Sequence, residues 1–80
     1  MTITLNHTIV HARQAKETAA FICELLDLPP ARQLAHFTVI DVGATSIDLI
    51  ETDQPISSRH FAFLVSEAEF NAILARLQAK

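Results

Sequence analysis

Residues 59–73 read RHFAFLVSEAEFNAI, and the change of period inside this stretch organises the whole chain. From Arg59 to Val65, Phe61, Phe63 and Val65 fall on one face and His60, Ala62 and Leu64 on the other, the period of two that marks a strand. At Ser66 the pattern changes. The Ser66 hydroxyl can accept from the Glu69 backbone and Glu69 can reach back, a capping box. Phe70, Ile73, Leu74 and Leu77 then recur at helical spacing as a core stripe. A strand followed by an amphipathic helix is the reading, and the 80 residues end shortly after.

The same succession opens the chain. From Ile3 to Ala12, Leu5, His7, Ile9 and His11 alternate with Asn6, Thr8 and Val10, with the β-branched content of a strand. From Arg13 to Leu28 the period is helical, with Ala15, Thr18 or Ala19, Ile22, Leu25 and Leu26 as the inner stripe. Pro29 and Pro30 end that helix, because a residue before proline is pushed out of the α region. Between the two openings, ARQLA (31–35) reads as a short edge strand or a loop. HFTVIDV (36–42) and SIDLIE (46–51) read as strands flanking Gly43, the only glycine, as a hairpin. TDQPISSR (52–59) has the composition of a loop. The expected architecture is α+β: a βαβββ unit with a mixed sheet, followed by one further strand and helix. A histidine near the start of each opening strand, His7 and His60, supports reading the second opening as an unfinished repeat of the first.

Composition bounds the function. Eighty residues make one small domain, 1–80, and half of them are apolar, too many for a disordered chain. A chain of this length buries only roughly 60 to 65% of its unfolded surface, so a partner is plausible from the start. Nine acids against six bases, scattered, give a net charge of −3 and no basic stripe with which to displace counterions from a phosphate backbone, which argues against nucleic acid. No apolar run approaches the ~20 residues that cross a bilayer, which argues against a membrane. The single cysteine, Cys23, lies in the apolar pattern of a helix and reads as a small buried hydrophobe rather than a nucleophile. With one cysteine and no signal-like N-terminus, the expected location is cytoplasmic.

Two histidines four apart, His7 and His11, suggest a metal site, but in a strand they stand about 13 Å apart along one face. Ligands to one ion lie within a few ångströms of each other, so these two do not share one. Co-ligands for His7 would come from other strands, and His60 and Asp48 are the candidates. Two histidines and a carboxylate suit iron, zinc or manganese. The plainer reading of any one of them is a hydrogen-bonded or partly exposed polar residue. The phenylalanines read as core. There is no Gly-rich phosphate loop, no C-x-x-C pair and no nucleophile elbow.

The strings NHTIVHA, SIDLIE and RHFAFLVSEAEFNAI, in this order and spacing, resemble the vicinal oxygen chelate superfamily of glyoxalases, bleomycin and fosfomycin resistance proteins and extradiol dioxygenases. The resemblance implies paired βαβββ units rolled into a cup that holds a divalent metal (Zn, Mn, Ni or Fe). It covers the first unit and the opening strand and helix of the second, so the last three strands of a glyoxalase-like fold are expected to be lacking. By resemblance the metal ligands fall on His7 and His60. Asp48 aligns with the carboxylate of glyoxalase I-like members, one methylene shorter than their glutamate. The family's remaining glutamate belongs to a strand that these residues do not include. The resemblance implies a metal-dependent lyase, isomerase or dioxygenase acting on a small molecule with vicinal oxygens, or a piece of one. A metal-free binding or drug-sequestering module of the bleomycin-resistance type is the alternative. An unfinished sheet also implies a homo-oligomer that completes it.

Overall fold

The structure, a computed structural model, describes residues 2–80. Its elements are β1 (His7–Ala12), α1 (Ala15–Leu26), β2 (Arg32–Leu34), β3 (Phe37–Val42), β4 (Thr45–Glu51) and α2 (Glu67–Gln78). The four strands form one mixed sheet in the order β1-β4-β3-β2, with β1 parallel to β4 and the other pairs antiparallel. The α+β class and the βαβββ unit are therefore as the sequence implies. ARQLA resolves into a short edge strand, β2.

Both hairpins close with two-residue loops, between Val42 and Thr45 and between Leu34 and Phe37. Their first loop residues, Gly43 and Ala35, have φ of 60° and 51°, as the primed turns that match strand twist require. Glycine adopts this conformation freely, whereas alanine does so at a cost. That difference explains why the first hairpin shows in the sequence and the second does not.

Helix α1 is shorter by two residues at each end than the expected span 13–28. Gln14 gives no side-chain cap, and instead the Glu51 carboxylate at the end of β4 accepts from the Ala15 N–H at 3.2 Å, placing negative charge at the positive end of the helix. At the other end Asp27 takes φ 55° and the Leu28 N–H donates to the Cys23 carbonyl at 2.9 Å, a Schellman-type stop. The helix rests on the sheet through Ala15, Ala19 and Cys23, packed on Ile40, Ile47 and Leu49. Small side chains at every fourth position let helix and sheet approach closely. The larger Ile22, Leu25 and Leu26, expected in the inner stripe, stand at its flank, half-buried. Cys23 is buried as expected, and burial pushes its thiol pKa up.

The expected strand at 59–65 does not pair: residues 55–65 carry no ladder. This segment runs back in the direction opposite to β1. Ser58 and Arg59 lie by His11, and Phe63 to Val65 lie by Leu26 and Val42 at the opposite end of the sheet. A cavity of about 340 Å³ intervenes, bounded by Phe61 and Phe63 on one side and by Val10, Ile22 and Leu25 on the other. Alternation alone does not make a strand; the backbone needs a partner edge within hydrogen-bonding distance.

Helix α2 begins with the expected capping box: the Glu69 N–H donates to Ser66 Oγ at 3.1 Å and the Ser66 N–H to Glu69 Oε1 at 2.8 Å. Polar contacts tie α2 to α1. Arg76 Nε donates to the Leu25 carbonyl at 2.8 Å, and Lys80 meets Glu24 at 2.7 Å while lying 5.6 Å from the centre of the Phe21 ring. Its apolar stripe is uncovered, Phe70 being 58% and Leu77 46% exposed. Among the described residues no helix is long and apolar enough to cross a membrane.

Candidate functional site

Strand alternation and register assign two faces to the sheet. Val10, Ile40, Val42, Ile47 and Leu49 pack against α1, so the alternate residues point away from it. On that open face His7, Ile9 and His11 of β1 stand opposite Ser46, Asp48 and Ile50 of β4. Next to these comes Asp41, opposite Ser46, and then Val39, opposite Asp48. Arg32 of β2 stands opposite Val39. His7 and Asp48 are thus diagonal neighbours on one face.

The polar groups on this face are already oriented. His7 Nδ1 lies 2.7 Å from Asn6 Oδ1. In the neutral ring, Nδ1 donating to this amide oxygen leaves Nε2 as the nitrogen able to bind a metal or accept a proton. Ser46 Oγ donates to Asp48 Oδ1 at 2.8 Å. Arg32 grips Asp41 through Nε at 2.8 Å and Nη2 at 3.1 Å, and this guanidinium holds the Asp41 carboxyl below the usual carboxylate range. The surface therefore sets an imidazole nitrogen and a carboxylate beside the exposed Ile9 and half-buried Ile50, Val39 itself being buried, and offers polar groups beside an apolar floor.

The third expected residue is not carried by the sheet. His60 lies exposed on the unpaired segment, and among the described residues no group of three His, Cys, Asp or Glu side chains comes together to hold a metal ion. The donor types fit a divalent cation, and of the three residues only His7 and Asp48 share a face of the sheet. His11, which does not share an ion with His7, is exposed near the end of β1. It borders a cavity formed with the 52–59 loop, and no periodic signal announces the path of a loop.

The chain is thus an α+β protein built on one βαβββ unit with a further segment and helix. No family model matches it, and no curated protein matches it. Solved structures share its fold over nearly every residue, among them two named oxidases. Oxidase ChaP-H1 is 34% identical with a TM-score of 0.92, over 98% of this chain and 64% of its own. Oxidase ChaP-H2 is 36% identical with a TM-score of 0.93, over 99% of this chain and 63% of its own. The chain spans less than two thirds of the length of either.

Proposed function

We propose that the chain forms part of a vicinal oxygen chelate-type site acting on a small molecule with vicinal oxygens, in an oxidase or dioxygenase rather than a lyase or isomerase. The likeness to two proteins named oxidases, across 98–99% of these residues, carries this reading. His7, with Nε2 free, is the ligand on β1, and His60 is its partner. Asp48 lies diagonal to His7 and serves as a further ligand or as a hydrogen-bond acceptor for substrate. Since the donors do not converge within one chain, the site is completed by further strands or by a second copy in a homo-oligomer. A divalent ion (Zn, Mn, Ni or Fe) held there would supply Lewis-acid polarisation of the substrate oxygens. What these residues contribute is the His7 lone pair fixed by Asn6, an acceptor at Asp48 and an apolar floor for the substrate's body.

The same lack of convergence favours a second reading, a metal-free binding module of the bleomycin-resistance type. Metal analysis of the purified chain separates the two. About one equivalent of a divalent metal, lost in both His7→Ala and His60→Ala, supports the metal-dependent reading. Wild-type protein free of metal after growth and dialysis with each candidate ion favours the binding module.

A further inference from the structure

We infer that the cavity where β1 ends binds a small organic carboxylate, gripped by Arg59 and His11. The cavity measures about 560 Å³. Arg59, His11, Ser57 and Ser58 supply donors along its wall, and no acidic residue lines it, although the chain as a whole carries a charge of −3. Among the described residues Arg59 has no carboxylate partner, the two salt bridges being Arg32–Asp41 and Lys80–Glu24. The nearest acid in the loop, Asp53, accepts from the Gln54 side-chain amide at 3.1 Å.

The loop that forms the cavity is braced. Arg13 Nη1 donates to the carbonyls of Thr52 and Gln54, both at 2.6 Å, and the Thr52 N–H donates to the Ala12 carbonyl at 3.0 Å. Arg13 is thereby spent on holding the loop, and Arg59 is left to meet a ligand. A loop held at its start in this way loses less entropy on binding than a free one. A guanidinium fork matches the two oxygens of a carboxylate, a neutral imidazole adds one N–H, and the serine hydroxyls can donate to the same oxygens. Val10, Pro55 and Ile56 make up an apolar wall. That wall gains nothing from a bare inorganic anion and suits the hydrocarbon body of an organic acid.

The test is an amide NMR titration of the full chain with benzoate, in EDTA so that no metal contributes. Benzoate is expected to shift His11 and residues 52–59 saturably, with Kd of roughly millimolar order as suits so small a ligand. Arg59→Gln should weaken binding about tenfold or more, with Arg59→Lys in between because it keeps the charge but loses the fork. Benzyl alcohol and inorganic phosphate should bind at least about tenfold more weakly. The inference is overturned by no saturable shift, by Arg59→Gln binding benzoate as well as wild type, or by either control binding equally. Should Arg59→Gln not fold, His11→Gln replaces it, with weakened binding expected and unchanged binding contrary.

Discussion

The two turn residues Gly43 and Ala35 solve one conformational problem with different chemistry. With φ of 51°, Ala35 carries a strain that glycine would not, so Ala35→Gly is expected to stabilise the fold by about 0.5–1 kcal/mol. Gly43→Ala would meet no neighbour within 4 Å, so its expected loss of about 1 kcal/mol is backbone strain alone. Urea denaturation of both variants measures the pair, and equal and opposite shifts would fit this account. Sequence reading finds the turn at Gly43 and leaves 31–35 undecided for the same reason, since Ala35 carries no turn signal. At the site, alternation legibly places His7 and Asp48 on strands. What they share is a face, and that depends on β1 pairing with β4, which no local pattern encodes. Packing at Ala19, which is 0% exposed, follows a similar logic. Ala19→Leu would force the helix off the sheet and is expected to cost about 1–3 kcal/mol in the same assay.

At the scale of elements, α2 is the best specified and the least covered. Its capping box is written in the sequence and present in the structure, and Ser66→Ala should cost about 0.5–2 kcal/mol. The Ser66 backbone N–H, and after it the hydroxyl, hold the Glu69 carboxyl below its ordinary value of 4.5. A carboxyl so lowered leaves the unfolded chain binding more protons, so this stability is full above about 4.5 and falls as pH drops through the lower folded value. Helicity followed by circular dichroism should therefore decline less steeply over that acid range in Glu69→Gln than in wild type. The 59–65 segment is the converse case. Its alternation is as clear as that of β3, yet no ladder forms, because pairing depends on a neighbouring edge rather than on the segment. Amide hydrogen exchange should accordingly be fast at residues 60–65 and slow in β3 and β4.

For the whole molecule, the uncovered faces decide what can be tested. Phe70, Leu74 and Leu77 on α2 lie exposed, and β1 pairs with β4 on one side only. An apolar helix face and an open strand edge both favour association. Sedimentation at micromolar concentration is expected to show a dimer or larger assembly, and a stable monomer would contradict the homo-oligomer proposed above. The parallel pairing of β1 with β4 has a consequence of symmetry. Because first and last strands of the unit point the same way, the chain leaves at the end where β1 finishes, and 59–65 must travel back down. A second unit begun on such a returning segment would be inverted relative to the first, related to it by a half-turn rather than by a translation. Two separate copies paired isologously would be related by the same operation, so what a longer chain would carry as a pseudo-dyad, shorter ones would form as a true dyad.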